Sequence, residues 1–156
     1  MSPLHTATWG GAQQRAAADG RRRTRLSADV SSQNMSAWRR KALELFPDLR
    51  SDIEDPDSSV MGLFFDLLPR CRDAHDRNDS DELKKIYGFA EWCASQKAKE
   101  LWNAAGVGFY EHLADSAKTL DAIPLWLSKQ VFEDIAALLE KRVGIERVAK
   151  LRRRYG

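Results

Sequence analysis

The chain has 156 residues, enough for one domain with a buried core, and 25 Lys or Arg nearly balance 23 Asp or Glu. Its two cysteines, Cys71 and Cys93, are too few for a disulfide scaffold and are expected to be reduced core residues. No apolar run approaches the roughly 20 residues of a membrane-spanning helix, and the N-terminus lacks the order of a secretory signal, so we expect no membrane association and a cytoplasmic location.

Residues 1–34 are rich in Gly, Ala, Arg, Ser and Gln and show no apolar periodicity, which predicts a disordered leader. They carry five Arg against two Asp. Met35 comes directly before the first helical pattern, so one interpretation is that translation begins at Met35 and the leader is a gene-model extension or a dispensable tail. The alternative is a basic arm that contacts nucleic acid or a membrane.

From Met35 onward the apolar spacing is helical, and no alternating segment of useful length indicates a strand. We therefore expect a single all-α domain over residues 35–156. Its architecture is predicted to be a compact bundle of five to six helices, with stacked helical hairpins as one form that such a bundle can take. The sequence does not indicate an oligomeric state.

Several polar residues and prolines predict where the helices begin and end. Ser36 is a good N-cap for the first helix. Asp55 followed by Pro56 predicts a cap and first-turn proline for the second helix. Pro69 inside that helix predicts a kink or a break. Before the third helix, either Asp79 or Ser80 is expected to be the cap.

The fourth predicted helix, from about Ala98 to Ala117, contains Gly106 and Gly108. Apolar residues cover most of its circumference, which indicates a helix surrounded by other helices. Each glycine costs a helix about 1 kcal/mol relative to alanine, and close approach of a neighbouring helix would offset that cost. A phosphate-binding glycine loop is not favoured, because the third glycine is missing and no strand precedes the segment.

The remaining chain is expected to form two more helices after a short connection. Residues 125–127, Leu-Trp-Leu, are predicted to be a hydrophobic plug that ends this connection. Ser128 is expected to cap the fifth helix. Gly144 is expected to separate that helix from a last one over Ile145–Arg154.

Three segments between Ser80 and Ser128 have a recognisable pattern: DELKKIYGFAEWCASQ, LWNAAGVGFYEHL and IPLWLS. They resemble a group of short bacterial proteins known only as a domain of unknown function. The resemblance covers about the central third of the chain. It implies a helical bacterial domain, and it brings no activity, cofactor or site residue with it.

Two places combine side chains that metal or catalytic sites use. Cys71 and His75 are four residues apart and would share a helix face, but zinc needs further ligands and no paired ligand motif is present. We therefore favour a half-buried cysteine and a solvated histidine. His112 follows Glu111 and precedes Asp115, yet the spacing of a carboxylate-bridged di-iron site is absent.

These weak signals lead us to expect no metal, no cofactor and no catalytic residue. A metal or small-molecule site near His112 or near Cys71 and His75 stays an alternative. No nucleophile elbow or P-loop is present, so nothing in the sequence supports an enzyme.

Charge is segregated along the chain. Residues 35–140 contain 13 Lys or Arg against 20 Asp or Glu, a net −7, whereas residues 141–156 contain seven against one, a net +6. An acidic helical body favours a non-catalytic protein-interaction domain, such as an adaptor or an immunity-type protein that neutralises a basic partner. The candidate partner-binding residues are Asp52, Glu54, Asp55, Asp57, Asp73, Asp76, Asp79 and Asp81.

The basic C-terminus has two interpretations. Cations near the end of a helix interact favourably with its dipole and could also contact the acidic body, which is the interpretation that we favour. The alternative is a phosphate-binding patch for nucleic acid, which the acidic body would oppose. Its candidate residues are Lys141, Arg142, Arg147, Lys150, Arg152, Arg153 and Arg154.

Overall fold

A computed structural model describes residues 35–156; the predictions of a disordered leader and of a basic arm in residues 1–34 lie outside the described residues. The described part is all-α and contains no strand, which confirms the predicted fold class. Its helices are α1 (Ala37–Leu45), α2 (Arg50–Glu54), α3 (Val60–Arg77), α4 (Ser80–Ala94), α5 (Lys99–Gly108), α6 (Ala117–Asp121), α7 (Ile123–Trp126), α8 (Lys129–Val143) and α9 (Ile145–Arg153). Short 3-10 segments cover Pro47–Leu49 and Tyr110–Asp115.

Helix α3 packs against α4 and α5. Its Phe64 is fully buried, with its ring centre 5.3 Å from that of Phe89 in α4 and 5.6 Å from that of Phe109. Aromatic rings at such separations contribute strongly to a core because each buries a large apolar area. This aromatic cluster joins three consecutive helices into one core.

The break predicted at Pro69 is wrong, because α3 continues through it as one helix of 18 residues. Proline removes the hydrogen bond to the carbonyl four residues earlier, which belongs to Phe65. Phe65 is 51% exposed, so water can satisfy that carbonyl. Leu67 and Cys71 on the opposite face are buried and hold both halves of the helix against the core.

The predicted caps are partly confirmed. Asp79 caps α4 by accepting a hydrogen bond from the Glu82 amide at 3.2 Å, and Ser128 caps α8 in the same way. Asp55 and Pro56, however, lie in a turn before α3, and the prediction that they begin this helix is wrong. Ser59 is the cap, and its hydroxyl accepts from the Gly62 amide at 3.0 Å.

Helix α5 confirms the close packing predicted for its glycines. A Cβ atom added at Gly108 would lie 2.7 Å from the Met61 sulfur and 3.5 Å from Phe64 Cβ, both in α3. The helix is shorter than predicted, since it ends at Gly108 and does not continue to Ala117. Phe109 has φ −128° and ψ −65°, outside helical geometry, and both Phe109 and Tyr110 are buried.

The C-terminal helices pack against the short helix α7. Leu125 is 74% exposed, so the plug predicted at residues 125–127 is wrong for this residue, whereas Trp126 stacks on Tyr87 and Leu127 is buried. Gly144 separates α8 from α9 as predicted, with φ +94°, a value that favours glycine. None of the helices within residues 35–156 has the length and apolar content needed to cross a membrane.

Candidate partner-binding site

An open pocket of about 290 Å³ lies between the α2–α3 turn and the first turns of α3. Its apolar wall consists of Trp38, Ile53 and Leu63, all of which belong to the core. Its polar rim carries four carboxylates, those of Asp52, Asp55, Asp57 and Asp66. We call this feature the acidic pocket.

The turn that forms the rim is fixed by local hydrogen bonds. The Asp55 carboxylate accepts from the Asp57 amide at 2.9 Å, and the Asp55 carbonyl accepts from the Ser58 hydroxyl at 2.7 Å. Ser59 then caps α3, so the chain changes direction within five residues. An Asx turn followed by a helix cap needs only the short polar side chains that the sequence provides here.

Arg39 of α1 holds the same turn by hydrogen bonds to its backbone carbonyls. Its Nε donates to the Ile53 carbonyl at 2.8 Å, and its Nη2 donates to the Ser58 carbonyl at 2.9 Å. Burial lowers the pKa of the Arg39 guanidinium, while Glu100 and Asp55 act in the opposite direction. The guanidinium is thereby engaged with backbone carbonyls, and the carboxylates of the rim remain directed to solvent.

This combination suits a cationic side chain with an apolar stem. Lys and Arg place their methylene chains along apolar surface while keeping the charged group among polar atoms. Within residues 35–156, no ion pair is formed by Asp52, Asp57 or Asp66. Their charge is therefore available to a cation from outside the domain.

The predicted acidic residues do not form one surface. The first group, Asp52 to Asp57, surrounds the acidic pocket with the exception of Glu54. Glu54 does not line the pocket and pairs with Arg50 at 2.6 Å. The second group lies around the other end of α3, with Asp73 and Asp76 in its last two turns and Asp79 and Asp81 just after it; a helix of 18 residues is about 27 Å long. Asp73 and Asp79 there pair with Arg77 at 2.8 and 3.1 Å.

Two further residues complete the second group. Asp76 pairs with Lys118 at 3.0 Å, whereas Asp81 forms no ion pair within the described part of the chain. Asp66 is the pocket residue that the sequence interpretation missed. It lies four residues after Gly62, one helical turn along the same face of α3, and this spacing is the signal that would have found it.

Cys71 and His75 lie on one face of α3, and both contact Tyr87 of α4. The Tyr87 hydroxyl is 2.8 Å from His75 Nε2 and hydrogen-bonds the Cys71 side chain. Burial raises the pKa of the Cys71 thiol to about 11. Both side chains therefore already have Tyr87 as a polar partner inside the core.

The predicted half-buried cysteine and solvated histidine are both wrong, because Cys71 is 1% and His75 is 8% exposed. Burial lowers the pKa of His75, and the nearby Lys118 acts in the same direction. In residues 35–156 we find no group of three or more His, Cys, Asp or Glu side chains arranged to hold a metal ion.

His112 belongs to the 3-10 segment, not to a helix edge as predicted. Its Nδ1 lies 2.9 Å from an Asp115 carboxylate oxygen, and Arg142 of α8 pairs with both Asp115 and Glu111. The Phe65 ring packs edge-on against the imidazole. These contacts link the 3-10 segment to α3 and α8, so we interpret the cluster as a structural ion-pair network.

The cations of the C-terminal candidate patch are distributed over several faces. Arg142 binds the 3-10 segment, and Arg152 forms a bidentate pair with Glu133 at 2.9 and 3.0 Å. Arg147 pairs with Asp121 at 3.3 Å, and Arg154 donates to the Asp121 carbonyl at 2.8 Å. The contacts of these four arginines agree with docking of the basic end onto the acidic body.

The three other cations of that patch are Lys141, Lys150 and Arg153. They are exposed and have no ion pair within residues 35–156. Nucleic-acid binding stays a prediction, with these three as the cations still available to phosphates.

Comparison with known proteins gives one finding. A family model described as a domain of unknown function (DUF7674) matches residues 39–141. This range includes the acidic pocket and reaches well beyond the segment from Ser80 to Ser128 that suggested the resemblance. The suspected relationship is therefore confirmed. No curated protein and no solved structure matches the chain.

Proposed function

Because this chain belongs to DUF7674, a family of domains of unknown function, we propose a function for it from the acidic pocket alone. The protein is a non-catalytic interaction domain of the cytoplasm that binds a basic segment of a partner protein. A Lys or Arg side chain of the partner enters the acidic pocket, with its stem on the apolar wall and its charge among the carboxylates.

One observation carries this proposal: the pocket joins a core-facing apolar wall to three carboxylates, those of Asp52, Asp57 and Asp66, that form no ion pair within residues 35–156. Trp38 and Leu63 supply part of the wall, while Asp57 and Asp66 lie on the rim. Attraction between such a rim and a basic partner increases the association rate, and an inserted side chain adds specificity. An adaptor or an immunity-type protein would use a surface of this kind.

The test measures binding of a fluorescein-labelled tetra-arginine peptide to the full chain by fluorescence anisotropy at low salt. The variants are Asp57→Lys and Asp66→Lys, since neither side chain forms an ion pair within the described part of the chain. Each is expected to weaken binding by at least about tenfold, the effect of roughly 1.4 kcal/mol. Loss of an attractive carboxylate and gain of a repulsive cation both contribute to this effect.

Asp81→Lys is the matched control, because it changes the net charge by the same amount at the other end of α3. Its effect on the peptide affinity is expected to stay within about twofold, as is usual for a rim charge outside the contact. Equal weakening by all three variants would mean attraction to net charge alone. That outcome, or no binding by the unmodified chain, contradicts the proposal.

A further inference from the structure

Three cations of α9 face a single groove on the side of the domain formed by α6 and α9. Arg147, Lys150 and Arg154 are spaced by three and four residues, so they share one helical face. Together with Asp121 and Leu151 they line a cavity of about 450 Å³. We call this feature the α9 groove. Its three cations and one carboxylate give it a formal net charge of +2.

Asp121 positions the two arginines of the groove without neutralising it. Its carboxylate pairs with Arg147 at 3.3 Å, and its backbone carbonyl accepts from Arg154 at 2.8 Å. Lys150, between them on the helix, has no ion pair or side-chain hydrogen bond within residues 35–156 and is exposed. Two oriented guanidinium groups and one available ammonium group therefore surround the same space.

The helix that carries these cations is firmly attached to the domain. Val148 and Leu151 are buried, and the Tyr155 ring stacks on Phe132 of α8 with ring centres 5.1 Å apart. The Tyr155 hydroxyl donates to the Leu127 carbonyl at 2.9 Å. Because α9 is held at its apolar face and at its C-terminal end, the positions of the cations are set before any ligand arrives.

We infer that the α9 groove binds a compact phosphorylated molecule through Arg147, Lys150 and Arg154. A phosphate group offers several acceptor oxygens, which arginine binds in a planar, bidentate manner and lysine binds as a point charge. The volume of the groove leaves room for a small organic group beside the phosphate.

The distribution of charge favours a compact anion over a nucleic-acid backbone. A backbone needs a track of cations along a surface, but Arg142 and Arg152 are paired with carboxylates outside the groove. The remaining body of the chain, residues 35–140, has a net charge of −7 and would repel a long polyanion. Within residues 141–156 the groove is the place where three cations meet, whereas the unpaired Lys141 and Arg153 lie outside it.

The test is an NMR titration of the isotope-labelled full chain with inorganic phosphate and, separately, with pyrophosphate. Saturable shifts are expected at the amides of α9 and of Asp121. Lys150→Gln is expected to weaken binding of either anion by at least about fivefold, because a charge-assisted contact is lost. Asp121→Asn is expected to strengthen it, because the competing carboxylate charge is removed while the backbone carbonyl remains.

Arg153→Gln is the matched control, since this cation belongs to the same helix but does not line the groove; its effect should remain within about twofold. A short duplex DNA provides the second arm of the test. If DNA binds and Arg153→Gln weakens it as much as Lys150→Gln does, the surface is a nucleic-acid patch and the inference is wrong. Shifts that fail to saturate, or that Lys150→Gln leaves unchanged, also overturn it.

Discussion

Two regions around α3, its contact with α5 and the turn at its N-terminus, are stabilised by different interactions. Where α3 meets α5, the helices approach closely: a Cβ atom added at Gly108 would lie 2.7 Å from the Met61 sulfur, so that the end of this side chain would have to shift. At the N-terminal end of the same helix, the turn before Ser59 is held by hydrogen bonds, and its carboxylates face an open pocket. Side-chain packing dominates at the α3–α5 contact, whereas hydrogen bonds and charge dominate at the turn.

This difference separates stability from binding. Interiors are packed at the density of organic crystals, so a change in volume at the α3–α5 contact has a direct energetic cost. A charge on an exposed rim contributes little to folding but strongly affects the rate and selectivity of association. Substitutions at the two places should therefore give clearly different results.

The largest effect is expected for Gly108→Leu, which places a branched side chain against Met61 and Phe64. The added atoms would displace the Met61 side chain and press against the buried Phe64, so the free energy of unfolding should fall by about 3 kcal/mol, the upper end of the usual cost of over-packing. Urea denaturation followed by circular dichroism measures this loss. The matched control is Gly88→Leu in α4, where nothing lies within 4 Å of an added Cβ atom.

Gly88→Leu should leave the protein as stable as before or stabilise it by up to about 1 kcal/mol, since glycine is the weaker helix former. If both leucine variants change the free energy of unfolding by the same amount, the loss in Gly108→Leu does not come from packing against α3. An unchanged urea midpoint for Gly108→Leu would mean that α5 is not enclosed by its neighbours.

An intermediate effect is expected at the back of the acidic pocket. Arg39→Gln removes the guanidinium that binds the carbonyls of Ile53 and Ser58, and a shorter amide cannot reach both. Partly buried carbonyls left without donors should cost about 2 kcal/mol of stability. Thermal and urea denaturation measure this cost, and the tetra-arginine affinity should decrease as well because the rim is no longer fixed.

The neighbouring Arg40 is the control for this experiment. Its guanidinium is exposed and contacts only the Met35 carbonyl among the residues that the structure describes. Arg40→Gln should change stability by less than about 0.5 kcal/mol. If Arg39→Gln were equally harmless, the turn would be fixed by its own hydrogen bonds, and Arg39 would have no part in shaping the pocket.

A feature of the fold could be predicted when the residues that determine it are close together in the sequence. Ser128 was predicted as a cap, and the cap of α4 was narrowed to Asp79 or Ser80, because a cap needs only a side chain and the next turn of the same helix. The prediction of Asp55 as the cap of α3 was wrong, and the cap is Ser59. Arg39, which is distant in sequence, holds the turn between these two residues. The end of α5 at Gly108 was not predicted either, because the apolar pattern of the sequence continues past it through Phe109, Tyr110 and Leu113.

The candidate site shows the same division. Carboxylates of the acidic loop were predicted as binding residues from composition and charge alone. Their separation from the group around Asp79 was not predicted, because it depends on α3 running as one helix past Pro69, which the sequence left open between a kink and a break. Asp66 was missed because the apolar wall that makes it part of a pocket exists only after folding.

The smallest expected effect concerns the pH dependence of a polar contact inside the core. His75 hydrogen-bonds Tyr87, and burial holds its pKa below the ordinary value of 6.5, with Lys118 adding to this and Asp76 opposing it. As the pH falls through 6.5, the unfolded chain takes up a proton before the folded protein does. Stability is therefore full above 6.5 and decreases below it until the folded-state pKa is passed.

The measurement is the urea midpoint between about pH 7.5 and pH 5.5, a window that lies above the ordinary carboxylate pKa values. His75→Gln keeps a group that can hydrogen-bond the Tyr87 hydroxyl but does not titrate, so subtracting its curve isolates the contribution of His75. The difference should be constant above 6.5 and should shrink below it, because only the wild-type loses stability there. The opposite result would be a difference that grows in favour of the wild-type on acidification. It would mean that His75 is protonated in the folded protein and donates a hydrogen bond to the Tyr87 hydroxyl, and the neutral state inferred for His75 would be wrong.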